Sequence, residues 1–118
     1  MSIFNSKKKI QRNIEKYNLQ RNISELMNYV FNDKFNLSLY YLNMIEENFP
    51  LKKDSIHEYL LLWLKAKIYE NVDEKKHIME SLDIYNMLYW HPAIQNDEKR
   101  KNEIKMSIDR INKYINGY

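Results

Sequence analysis

Ser38-Leu39-Tyr40-Tyr41-Leu42-Asn43-Met44-Ile45-Glu46-Glu47-Asn48-Phe49-Pro50 is echoed, 43 residues on, by Ser81-Leu82-Asp83-Ile84-Tyr85-Asn86-Met87-Leu88-Tyr89-Trp90-His91-Pro92. With one residue dropped before the second proline, Ser, Leu, Asn, Met and Pro coincide, and Leu42/Tyr85 and Ile45/Leu88 are similar. A recurrence of this length indicates helix pairs that cannot bury their apolar face alone and must stack. In each copy the small serine lets two helices approach closely, and the bulky residue four positions on fills the groove beside it. Proline then ends the helix, because it cannot continue the hydrogen-bond ladder.

Working outward, each copy follows a short polar turn and a preceding helix. Ile23, Leu26, Met27 and Val30 make one stripe before the Asn32-Asp33 turn, and a third helix runs from about Lys34 to Asn48. Ser55-Ile56-His57-Glu58 reads as a capping box, in which the Ser oxygen and the Glu carboxylate each satisfy a free backbone N–H. The helix it opens, to about Glu70, contains Tyr59-Leu60-Leu61-Leu62-Trp63-Leu64 and is apolar nearly all round, which predicts neighbours on several sides. Asn71 to Glu74 is the next turn, with Asp73 as the expected cap of a helix reaching about Trp90. Asn96-Asp97-Glu98 opens a last helix, amphipathic through Ile104, Ile108, Ile111 and Ile115 and ended by Gly117. At the other end Ile10, Ile14 and Tyr17 mark a basic helix over 7–18, with a break or kink at Asn18 to Asn22.

The expected architecture is all-α: five to six helices in stacked antiparallel hairpins. The 118 residues form a single helical-repeat domain, with a basic N-terminal helix (1–21), hairpins over 22–50 and 54–92, and a C-terminal capping helix over 95–116. One Gly and two Pro are too few turn formers for a many-stranded sheet. Hydrophobic residues at 44% and charged residues at 30% predict an ordered, soluble chain.

The net charge of +3 is small, but its distribution is uneven. Residues 1–21 carry Lys7, Lys8, Lys9, Arg12, Lys16 and Arg21 against Glu15 alone, and the last helix is also rich in Lys and Arg. Such ends can attract nucleic acid or an anionic membrane surface, or simply form solvated helix faces. Cysteine is absent, which removes disulfides, thiolate metal sites and thiol catalysis. The first nine residues show no apolar signal region, and the longest apolar run, Tyr59 to Leu64, is too short to span a bilayer. The default expectation is cytoplasmic; a periplasmic or membrane-associated location fits if the chain is a fragment of a longer protein.

In these positions the sequence resembles the tetratricopeptide repeat, over roughly residues 22–115. Ala66 and Tyr69 match the family's first-helix pair, and Ser81, Tyr85, Leu88 and Pro92 match its second helix. Tyr29, Ser38, Leu42, Ile45 and Pro50 correspond in the first copy. The long connection from Phe49 to Ser55 resembles the longer-repeat variety, as in the barrel-assembly lipoprotein of bacterial outer membranes. Leu26 stands where the family prefers a small residue, Lys65 replaces a usual leucine, and Glu74 to His77 reads as an insertion. The resemblance implies a protein-interaction groove lined by the first helix of each pair, receiving an extended peptide or a partner helix. Tyr59, Trp63, Lys67 and Glu70 are the expected groove-facing residues. The family's basic pocket for C-terminal carboxylates is not evident.

Motifs for chemistry are lacking. His57-Glu58-Tyr59-Leu60-Leu61 opens like HExxH but lacks the second histidine, and Glu74-Lys75-Lys76-His77 has only one of the two Glu-x-x-His motifs of di-iron bundles. His91 is expected to be exposed or a local cap. A lone Gly near the C-terminus leaves no phosphate-binding loop and no nucleophile elbow. Tyr29, Tyr41, Trp63, Tyr69, Tyr85 and Trp90 are expected to fill spaces between helices, in the middle of the chain and away from the basic ends. The expected function is therefore a non-catalytic scaffold or adaptor with no cofactor and no metal. The alternative is a small basic nucleic-acid-binding regulator, and self-association through the exposed ends of a short stack is a further expectation.

Overall fold

The computed structural model describes residues 3–117, which contain six helices and no strand. They are α1 (Ile3–Lys16), α2 (Leu19–Phe31), α3 (Phe35–Asn48), α4 (Ile56–Asn71), α5 (Ile78–Tyr89) and α6 (Glu98–Ile115). Residues 1 and 2 of the basic N-terminal segment lie outside the described residues. The molecule measures 41 × 32 × 20 Å. Its short dimension is two helix diameters, so the helices lie in two layers.

Helix α4 is the common wall. It packs on α2, α3 and α5, which is why its sequence has no polar face. Leu61, Leu64 and Ile68 turn toward one core with Ile10, Ile23, Leu26, Tyr41, Leu42 and Ile45. Tyr59 and Ala66 turn toward a second core with Tyr85, Leu88, Ile94, Ile104 and Ile111. Helix α3 also receives α1, and α5 receives α6.

The residues expected to pack the hairpins take the following places. Ser38, Leu42 and Ile45 of α3 are fully buried, as are Ser81, Tyr85 and Leu88 of α5 and Ala66 of α4. Tyr29 and Tyr69 are partly buried, the former 5.5 Å from the Tyr41 ring and the latter 5.3 Å from the His77 ring. The two serines differ in what they bond. Ser81 Oγ donates across the helix interface to the Ala66 carbonyl at 2.7 Å, a contact possible only because both residues are small. Ser38 Oγ donates back along its own helix to the Lys34 carbonyl at 2.7 Å.

Several ends depart from the sequence expectations. The break after α1 is tighter than Asn18–Asn22, and α2 begins at Leu19. Asn18 caps it by accepting from Arg21 N, and Asn22 Nδ2 donates to the Tyr17 and Asn18 carbonyls, so both polar side chains serve the break. In the Asn32-Asp33 turn Asp33 ends α2: its φ is 60°, and Lys34 N–H returns to the Tyr29 carbonyl at 3.0 Å. Asp73 does not cap α5, which starts at Ile78 with no side-chain cap. The Glu74–His77 stretch belongs to a turn in which Asp73, Glu74 and Lys75 all adopt left-handed φ of 53°, 55° and 69°. The capping box is half formed. Ser55 Oγ accepts from Glu58 N, but the Glu58 carboxylate accepts from Asp54 N.

Candidate functional site

Tyr59, Trp63, Lys67 and Glu70 fall on one stripe of α4, since steps of four, four and three residues return to nearly the same side of a 3.6-residue helix. The stripe forms the floor of a groove with α2 on one side and α6 on the other. Its open middle is a cavity of about 350 Å³ shared by Phe31, Trp63, Lys67, Glu103, Met106 and Arg110. A cavity of about 310 Å³ continues it past Tyr59 and Met27 to Arg100, and a third of about 200 Å³ continues it past Glu70 to Phe35.

The four residues differ in availability. Tyr59 is 2% exposed, with Arg100 stacked 5.8 Å from its ring centre, and burial pushes its hydroxyl up to about 12. Glu70 is also buried, and its carboxylate is gripped by Arg110 through Nε at 2.8 Å and Nη2 at 2.6 and 2.8 Å. These two close the ends of the stripe. Trp63 and Lys67 remain open to the groove. Phe31 meets the Trp63 ring edge-on at 6.2 Å, and Phe31 and Met106 are themselves exposed.

Lys67 and Glu103 both line the open middle of the groove, and neither forms an ion pair among the described residues. Lys67 Nζ lies 4.9 Å from the centre of the Trp63 ring, a cation–π contact. Among the described residues no carboxylate lies within 4.0 Å of it. Burial holds its pKa below the usual lysine value, partly offset by the field of Glu70.

A second cluster was not visible in the sequence as a unit. Asp54, Glu58 and His91 bring three potential ligand atoms within 4.8 Å of one another. His91 is buried, and its Nε2 lies 2.8 Å from Glu58 Oε1. It is a local cap as expected: Nδ1 accepts from Ala93 N at 3.0 Å. That bond places the proton of a neutral ring on Nε2, where it donates to Glu58. A metal would need the Nε2 lone pair and a proton on Nδ1, which the Ala93 N–H opposes. The cluster therefore acts as a tether, tying the segment after α5 to the start of α4. The hydrogen bond to His91 is the main cause that lowers the Glu58 pKa.

Two expectations about aromatics are corrected. Trp90 does not fill the interior: it lies just past the end of α5 and is 71% exposed. Nor is Trp90 remote from the basic ends: folding places Lys101 of the last helix 5.7 Å from its ring centre. Other aromatics also meet basic side chains, with Lys7 4.9 Å from the Tyr40 ring and Lys16 and Arg21 5.5 and 5.1 Å from the Tyr17 ring. No described helix is long and apolar enough to cross a membrane. No protein-family model, curated protein or solved structure matches the chain.

Proposed function

We propose that this chain is a non-catalytic interaction scaffold whose α2–α4–α6 groove receives a segment of another protein, either an extended peptide or a helix. The observation that carries the reading is the pairing of exposed apolar side chains (Phe31, Met106) with the Lys67 ammonium over Trp63. A binding segment that offers a bulky apolar side chain beside a carboxylate satisfies both features, because it covers the aromatic surface and neutralises a partly desolvated cation. The equivalent burial of Ser38, Leu42, Ile45 and Ser81, Tyr85, Leu88 supports a tetratricopeptide-like stack, the architecture in which such a groove is used.

The test is affinity capture from the native cell with wild type, Lys67→Glu and Phe31→Ala/Met106→Ala. A partner held in the groove is lost with Lys67→Glu and weakened by the double variant, while helicity by circular dichroism stays unchanged. A partner retained equally by all three removes the groove reading.

A second reading rests on α1. Lys7, Lys8, Lys9 and Arg12 are all exposed, and Tyr40 and Tyr17 lie beside Lys7 and Lys16 of this helix. Single-stranded nucleic acid combines with such a surface through phosphate contacts and base stacking. Binding of that kind weakens steeply between about 50 and 200 mM salt, as a power of the salt concentration whose exponent grows with the number of phosphates contacted. Titration of a fluorescent oligonucleotide at several salt concentrations, with wild type and Lys7→Glu/Lys8→Glu, separates it from the groove.

A further inference from the structure

Ile3, Ile10, Ile14 and Tyr17 share one side of α1, since steps of seven, four and three residues return to nearly the same side of a helix. The core closes over Ile10 and Ile14. Ile3, two turns earlier, is 66% exposed, and Phe4 beside it is 64% exposed. No residue from 3 to 9 is buried. The apolar side of α1 therefore outruns its cover and ends in a protruding tip. No residue of α1 lines the groove's cavities, so a partner seated there leaves the tip bare.

The charges around the tip indicate what covers it. Lys7, Lys8 and Lys9 are consecutive, and at about 100° per residue they fan over more than half of the helix circumference. Arg12 adds a fourth exposed cation, while Glu15, the one acid of α1, lies about two turns beyond Lys8. Among the described residues no carboxylate lies within 4.0 Å of any of these four cations. Lys8 Nζ sits 4.6 Å from the centre of the Phe4 ring, so charge and apolar surface are interleaved. Two such tips brought together would oppose their lysines, which disfavours a second copy as the cover. A nucleic acid would meet the lysines but gain nothing from Ile3, which has no ring for a base to stack on. An anionic bilayer uses both. Its headgroups meet the ammoniums, and the acyl region just beneath accepts aliphatic and aromatic side chains.

We propose that α1 docks on an anionic lipid bilayer, with Ile3 and Phe4 inserted and Lys7, Lys8, Lys9 and Arg12 on the headgroups. The contact is peripheral and does not involve the groove along α4.

Co-sedimentation with vesicles of phosphatidylcholine alone, and of phosphatidylcholine with phosphatidylserine, tests this. The proteins are wild type, Ile3→Ser/Phe4→Ser, which keeps every charge, and Lys8→Glu/Lys9→Glu, which keeps the apolar tip. All four side chains are exposed, and far-UV circular dichroism checks that each variant keeps its helices. Wild type is expected to pellet with the phosphatidylserine vesicles and to stay in solution with phosphatidylcholine alone. The serine variant should bind about tenfold more weakly, and the charge reversal should weaken binding by at least about tenfold. Wild type that ignores phosphatidylserine vesicles overturns the proposal. Equal binding of wild type and Ile3→Ser/Phe4→Ser also overturns it, because charge alone would then hold the protein. A single-stranded oligonucleotide that strips wild type from the vesicles, and binds the serine variant as well as wild type, gives the surface to nucleic acid instead.

Discussion

The Tyr41 hydroxyl donates to Asn22 Oδ1 at 2.7 Å, and the other end of that amide donates to the Tyr17 and Asn18 carbonyls at 2.9 and 3.0 Å. One buried asparagine thereby joins α3 to the break between α1 and α2. Tyr85 occupies a comparable interior position between α5 and α6, yet no hydrogen-bond partner meets its hydroxyl among the described residues. Burial is the largest cause raising the Tyr85 pKa, and the Ser107 and Arg110 side chains offset it only in part.

The two tyrosines should therefore respond oppositely to loss of oxygen. Tyr41→Phe leaves the Asn22 oxygen buried and unpaired, at a cost of about 1–3 kcal/mol. Tyr85→Phe removes an oxygen that is already unpaired, so stability is unchanged or rises by up to about 1 kcal/mol. Urea unfolding of both variants checks the sign. Equal losses would show that the Tyr85 hydroxyl is satisfied in solution.

Acid should loosen the tether at the start of α4. The Glu58 pKa lies below its ordinary 4.5 chiefly because of the His91 hydrogen bond. A depressed carboxylate contributes stability that is complete above the unfolded value and disappears as pH falls through the folded one. Thermal melts of wild type and Glu58→Gln should differ most above pH 4.5 and converge as the carboxylate protonates in stronger acid. A gap that persists in acid would assign the effect to shape instead of charge.

Glu74 is an exposed, non-glycine residue at φ 55°, between two others with positive φ. Left-handed backbone costs an L-residue about 1–2 kcal/mol, and glycine avoids that cost. Glu74→Gly should raise stability by roughly 1 kcal/mol, after the added freedom of the unfolded chain is subtracted. Asp73 and Lys75 are poorer choices, because the Asp73 carboxylate meets the His77 ring at 3.5 Å and Lys75 stacks 4.2 Å from the Tyr114 ring centre. A drop in chemical-denaturation midpoint for Glu74→Gly would contradict this.

Arg110 holds the otherwise buried carboxylate of Glu70. Arg110→Ala should cost about 1–2 kcal/mol, less than for a fully enclosed pair because the guanidinium is half exposed. Glu70→Gln/Arg110→Ala should recover part of the loss. A double-mutant cycle in urea measures the coupling, and additivity would mean that the bond adds nothing.

The helices and the central place of α4 were legible because apolar periodicity is written locally. The span Tyr59–Leu64 admits no polar face, and only neighbours on several sides satisfy that. That Tyr59, Trp63, Lys67 and Glu70 share one side of α4 was legible for the same reason, but the burial of Tyr59 and Glu70 on that side was not. What periodicity does not carry is the partner. Glu70 meets Arg110 forty residues away and His91 meets Glu58 across thirty-three, so neither bond has a local trace. Trp90 was misplaced because it lies beyond the last turn of α5, where helical spacing no longer says which way a side chain points. The Asp73–Lys75 turn contains no glycine, so nothing in its composition announced left-handed backbone.

Helix α4 lends one side to each of the two cores, and this governs how the chain comes apart. Detaching α5 and α6 would wet Tyr59 and Ala66, and detaching α1 to α3 would wet Leu61, Leu64 and Ile68. Neither portion keeps a closed interior once the other has gone. Heating should therefore give one calorimetric peak whose van't Hoff and measured enthalpies agree, instead of the stepwise fraying of a longer repeat array.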